Sequence, residues 1–258
     1  MRIDWHQSYA AIWRSHSNKL KPVHRLDPVR LADLKGIDKQ KQAIVDNTQH
    51  FIDGKTSNHA LLWGARGTGK SSLIKALLNE LAPSGLRVVQ VDKDDLGYLP
   101  EILDALELED EQFRFIILCD DLSFEEGESS YKPLKTLLEG GLELPPDHVR
   151  LYATSNRRHL LPEKKSENQL SGLVDGEIHY ADSLEDKLAL SDRFGLTLSF
   201  YPANWESYFD IVMSLFNGVT VDKEQLHEAA RLYAMGRGSH SGRTARQFYQ
   251  FYRASLTD

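Results

Sequence analysis

Cysteine is nearly absent from this chain. The single thiol, Cys119, can form neither an internal disulfide nor a cysteine-based zinc site, so a reducing, cytoplasmic setting is expected. Long hydrophobic runs are also missing. No stretch reaches the roughly 18 apolar residues that span a bilayer, and the opening M-R-I-D-W-H-Q has no apolar signal core. Neither secretion nor a membrane span is expected. Positive charge is not in excess: 31 Lys and Arg face 38 Asp and Glu, a net charge of −7. That balance argues against a protein built mainly to coat nucleic acid. The sequence shows no internal repeat and no long low-complexity tract.

Apolar residues make up 41% of the 258 positions, enough for a real core in one large domain, or in a large domain plus a small one. Charge is unevenly spread. Residues 1–41 are basic and residues 92–147 strongly acidic. Such stretches are solvated faces or, in an assembly, opposite ends of a protomer that meet its neighbours.

Apolar runs alternate with helical periodicity, which predicts an α/β fold with a parallel five-stranded sheet. The strands are expected at 60–63, 86–91, 113–119, 149–154 and 196–200. Their continuous apolarity suits burial on both faces. Helices are expected at 39–51 and 71–81, and after Pro202 at 205–216, 222–235 and 241–256. Asp222 with Gln225 offers a capping box to the middle one of these. The expected division is an N-terminal helical extension over 1–26, an α/β domain over 27–201 and a small helical domain over 202–258. Trp5, Tyr9 and Trp13 recur every four residues, which predicts an amphipathic helix on the body; contact with nucleic-acid strands is the alternative. Residues 158–182 lack periodicity and read as a long loop.

Gly64-Ala65-Arg66-Gly67-Thr68-Gly69-Lys70-Ser71 matches G-x-x-x-x-G-K-[ST] in full, between a strand and a helix that continues with Ser72. In that context the loop's N–H groups and the helix N-terminus converge on phosphate. Lys70 is expected to reach the β- and γ-phosphates of ATP, and Ser71 to ligate Mg²⁺. An apolar strand then ends in Asp120-Asp121. Asp120 is the metal-side candidate and Asp121 the residue that polarises the attacking water, with Glu125 in reserve. Asn156, at the end of the fourth strand, is placed to bond the γ-phosphate or that water. Arg193, before the fifth strand, is a candidate arginine finger, because guanidinium is planar, permanently charged and bidentate. Arg243 and Arg246 open the last helix; a cation there opposes the helix dipole, so a phosphate partner would compensate, with Arg243 preferred.

Together these elements resemble an AAA+ ATPase over about residues 27–250. The strings L-L-W-G-A-R-G-T-G-K-S-S, C-D-D-L-S-F-E and Y-A-T-S-N-R-R-H-L are similar to one bacterial family, domain of unknown function 815. The resemblance implies a P-loop fold with a C-terminal helical lid, ATP with Mg²⁺, and a homo-oligomer in which the finger acts in trans. It also implies that the leader around Ile37 lies along the adenine. The family's pattern has departures here: Asp121 stands where many AAA+ proteins have Glu, and Gly97-Tyr98 does not match the loop of threading enzymes. The expected function is ATP hydrolysis coupled to remodelling of a macromolecular partner. The alternatives are a slow ATP-dependent switch or scaffold, and a P-loop small-molecule kinase.

Overall fold

The computed structural model describes residues 3–110, 112–125, 128, 130–140, 144–158, 160 and 190–256. Apart from residues 158 and 160, the loop read at 158–182 lies outside them. Seven strands form one sheet: β1 (Ala10–Arg14), β2 (Lys19–Pro22), β3 (Ala60–Gly64), β4 (Leu86–Gln90), β5 (Arg114–Cys119), β6 (Val149–Ser155) and β7 (Leu196–Phe200). Their order is β2-β1-β4-β5-β6-β3-β7. Among the described residues only the β1–β2 pair is antiparallel.

The apolar runs are continuous because both faces are covered. On β5, Phe115, Ile117 and Cys119 join one core, while Ile116 and Leu118 join the other. Helices α1 (Asp38–Ile52) and α2 (Lys70–Leu81) cover the second face through Ile44, Phe51, Leu73 and Leu77. Helices α3 (Leu99–Glu107) and α4 (Lys132–Glu139) cover the first through Leu99, Ile102, Leu106 and Leu134. Each such side chain contributes about 1.5–3 kcal/mol on leaving water.

Two expectations are corrected. The sheet has seven strands, not five. The N-terminal stretch is a β-hairpin, not a helix. Arg14 pairs with Lys19 across a tight turn in which Asn18 takes a left-handed φ of 46°. The four-residue spacing imitates a helix, yet Trp5 lies in a turn, Tyr9 is exposed just before β1, and only Trp13 of the three lies in a strand. Trp5, Ala11 and Trp13 enter the first core, and truncating either indole there would cost about 3–5 kcal/mol. The buried guanidinium of Arg87 fastens this segment down. It donates to Trp5 O at 2.7 Å and to Ala82 O at 2.9 Å, and lies 4.3 Å from the Phe113 ring centre.

Beyond the sheet, α5 (Trp205–Leu215), α6 (Lys223–Gly236) and α7 (Gly242–Ala254) pack on a core of their own, centred on Tyr208, Val212, Leu226, Ala230 and Phe248. Their starts are set by side-chain caps. Asn204 accepts from Ser207 N–H at 2.8 Å, and Asp222 from the Glu224 and Gln225 N–H groups at 2.9 and 3.1 Å. Among the described residues no helix is long and apolar enough to cross a membrane.

Candidate functional site

β3 stands between β6 and β7, where the direction of chain progression across the sheet reverses. In α/β folds, ligands gather at the carboxyl ends of the strands beside such a switch. A cleft of about 1700 Å³ opens there, between the strand ends and the C-terminal helices. Its floor is the loop 64–69. Gly64, Gly67 and Gly69 all have positive φ, at 135°, 77° and 99°. A Cβ on Gly64 would fall 1.9 Å from Phe200 O, and one on Gly67 2.7 Å from Ser241 Oγ. At Gly64 a side chain would strike backbone; at Gly67 it would have to displace the Ser241 hydroxyl and hold a strained φ.

Lys70 opens α2 and is buried in the loop. Its ammonium donates to Gly64 O and Ala65 O, both at 2.8 Å, and to Asn156 Oδ1 at 3.2 Å. Burial pushes its pKa down, and Arg243 and Arg66 add to that against the pull of Asp121 and Asp120. Thr68 closes the loop on Ala65 O at 2.8 Å. Ser71 Oγ donates to Asp120 Oδ1 at 2.5 Å, and Thr154 Oγ1 donates to the same oxygen at 2.5 Å. The Asn156 amide donates to Asp121 Oδ1, while Asp121 N–H donates to Thr154 Oγ1 at 2.9 Å. Asp121 itself sits at φ 55°, a conformation that Asp tolerates better than most residues. Strain of this kind clusters at functional sites.

The topology explains this convergence. β6 lies between β3 and β5, so Thr154 and Asn156 stand between the lysine after β3 and the carboxylates after β5. The donor set fits Mg²⁺, a hard cation that takes one hydroxyl and one carboxylate from a protein and fills its remaining positions with water and phosphate oxygens. No cluster of three or more His, Cys, Asp or Glu is needed for that, and none is present among the described residues.

The family model described as Protein of unknown function (DUF815) matches residues 6–256. The chain belongs to this family. No curated protein matches the DUF815 chain. Solved structures do. The RuvB Holliday junction branch migration motor of Thermotoga maritima has a TM-score of 0.57 at 15% identity, over 89% of this chain and 66% of that one. A variant of that motor gives 0.59 at 18% identity, over 90% and 67%. A DNA replication initiation factor gives 0.54 at 17% identity, over 89% and 65%. The DUF815 chain thus spans about two thirds of the length of these proteins and shares their α/β fold.

Of the other expected residues, Ile37 caps α1 and approaches Gly69, its Cδ1 lying 3.7 Å from where a Cβ there would be. Arg66, Ser72, Arg243 and Arg246 line the cleft. Glu125 does not; it is exposed and pairs with Arg157 at 3.4 Å. Arg193 also lies outside the cleft lining and pairs with Glu139, the last residue of α4. Two participants were not singled out from sequence. Thr154 orients both carboxylate positions, and its signal was strand alternation: two residues before Asn156, it shares the same face. Ser241 caps α7, accepting from Thr244 N–H at 3.2 Å, and abuts Gly67; a Ser directly before a helical pattern is a cap signature.

Proposed function

We propose that the DUF815 chain binds ATP with Mg²⁺ and hydrolyses it to remodel a macromolecular partner as a homo-oligomer. One observation carries this reading: Lys70, Asn156 and Asp121 form one hydrogen-bonded run, and Ser71, Asp120 and Thr154 another, side by side at a loop whose three glycines all hold positive φ. Lys70 supplies the cation inside the phosphate cradle. Ser71 and Asp120 would hold Mg²⁺, whose charge offsets that of the phosphates. Asp121 is the acceptor for the proton of the attacking water, and Asn156 holds its carboxylate in place while bridging to Lys70. The helices over 202–258 act as a lid that brings Arg243 to the phosphates, with Arg246 behind it, and 27–201 is the nucleotide-binding unit. Ile37 lies against the base.

Arg193 is the finger given to a neighbouring protomer, a reading supported by its position outside its own cleft. Such an arginine is worth roughly 10³–10⁵ in rate in well-measured GTPases, and a head-to-tail contact of this kind closes into a ring or runs on as a filament. Neither polypeptide threading nor strand stacking by the N-terminal tryptophans is favoured. The Tyr98 ring packs 5.9 Å from that of Trp13, and Trp5 and Trp13 are buried.

The test is calorimetry and complementation. Lys70→Ala should abolish tight ATP binding, and wild-type affinity in that variant would remove the assignment. Arg193→Ala should bind ATP yet turn over almost none, and mixing it with Lys70→Ala should partly restore activity. A slow switch is the second reading. It is favoured by Asp121, a shorter acid than Glu, being tied to Asn156; turnover that stays slow at saturating protein concentration would select it.

A further inference from the structure

Arg193 has a competitor inside its own chain. It lies in the turn just before β7, while its Nη2 is paired with Glu139 Oε1 at the C-terminal end of α4. Its Nη1 is buried, with no hydrogen-bond partner among the described residues. Glu139 stands at the end of a helix where a carboxylate opposes the dipole, which leaves it dependent on cations. Lys135, one turn earlier, also pairs with it, at 3.8 Å. An arginine that grips two phosphate oxygens needs its fork free. Here one arm is occupied by a carboxylate and the other turned inward.

We propose that Glu139 is a latch: it holds Arg193 in a withheld position, and a neighbour's nucleotide must displace it before the finger engages. The inference rests on the finger reading given above. The segment carrying Arg193 is moreover joined to the protomer's own site. Phe124 N–H, three residues after Asp121, donates to Leu160 O at 2.8 Å. Leu160 N–H donates to Ser191 Oγ at 3.3 Å, two residues before Arg193. The withheld position is therefore braced from the strand end that bears Asp121, and Glu139 acts on the reaction only through Arg193, as a positioning residue.

The experiment measures ATP turnover per subunit against protein concentration for the full chain, Glu139→Gln, Glu139→Asp, Arg193→Ala and the double variant Glu139→Gln/Arg193→Ala. Both partners of the pair are about a third exposed at most, and pairs of that kind shift an equilibrium about two- to fivefold. Glu139→Gln should lower the concentration for half-maximal activity by about that factor, with ATP affinity at low protein concentration unchanged. Glu139→Asp should restore the wild-type midpoint, and the double variant should be as inactive as Arg193→Ala. If Glu139→Gln melts early, Glu139→Ala is measured in its place, with the same result expected. Should the Glu139 variants match or fall below wild type while Arg193→Ala is inactive, the latch is refuted and the finger stands. Full activity of Arg193→Ala overturns both.

Discussion

The two walls of the cleft are made differently. On the sheet wall, Lys70, Ser71, Asp120, Asp121, Thr154 and Asn156 bond to one another at the ends of three adjacent strands. The helical wall meets the loop by close approach alone, with Ser241 and Arg243 beside Gly67. Behind it lies a separate core of Tyr208, Leu226 and Phe248. Groups that must hold a reacting geometry are best built on rigid, mutually bonded elements. A wall with its own core can move as a unit without disturbing them. On the function proposed above, the difference gives chemistry to the sheet and response to the helices.

The largest effect should come from breaking the sheet wall. Asp121→Asn keeps the shape and removes the acceptor, so ATP binding should persist while turnover falls roughly 10²–10⁴-fold; steady-state kinetics and calorimetry on one preparation check this. Normal hydrolysis by that variant, with failure of Glu125→Gln, would move the role to Glu125. Next in size is the junction of the walls. Gly67→Ala puts a methyl against Ser241 at a φ of 77°, and a conflict on the order of 1–3 kcal/mol should weaken ATP binding about tenfold or more. Arg243→Ala should instead leave the loop intact and stop ATP from protecting residues 205–256 against proteolysis.

Acid should act on the sheet first. His59, just before β3, accepts from Leu151 N–H at 2.9 Å, and burial, aided by Arg150, holds its pKa down at about 4 instead of 6.5. Well above pH 6.5 the ring is neutral whether the chain is folded or not. As pH falls from 6.5 towards 4, the unfolded chain takes up a proton that the folded one refuses, and stability drops by on the order of 1–3 kcal/mol. Urea unfolding at neutral and acid pH should show this slope flattened in His59→Gln. The smallest effect belongs to the helical wall alone. Asp222→Ala removes the cap of α6 and should cost about 1 kcal/mol, measured by thermal unfolding, with ATP affinity unchanged.

The sequence was most legible where one physical demand governs a local stretch. The five strands from β3 to β7 were found within a residue or so, because burial makes each largely apolar, most completely in β3 and β5. The loop 64–71 was legible because its glycines answer a backbone requirement. The N-terminal hairpin was missed because Trp5, Tyr9 and Trp13 keep a helix-like spacing although they lie in a turn, a bend and a strand, and because its partner, β4, is remote in sequence. Helices α3 and α4 were hidden under the acidic charge of residues 92–147, although Leu99, Ile102 and Leu106 keep helical spacing. The pairing of Arg193 with Glu139 has no local signature, since the packing of a helix end against a distant turn is decided only by the assembled sheet.

The hairpin carries a consequence for how the molecule comes to be made. Ala10–Arg14 is synthesised before all the other strands, yet its parallel neighbour is Leu86–Gln90, with Ala10 opposite Val88. Between the two come α1, β3 and the whole of α2. A nascent chain halted anywhere in that interval carries two indoles without their core and a strand paired only on its β2 edge. Such uncovered surface and unpaired strand edges are what draw growing chains into aggregates or into the hands of chaperones. β1 leaves the ribosome before β4 and must wait for its place beside it, so this hairpin acts as a seal applied to the sheet from outside.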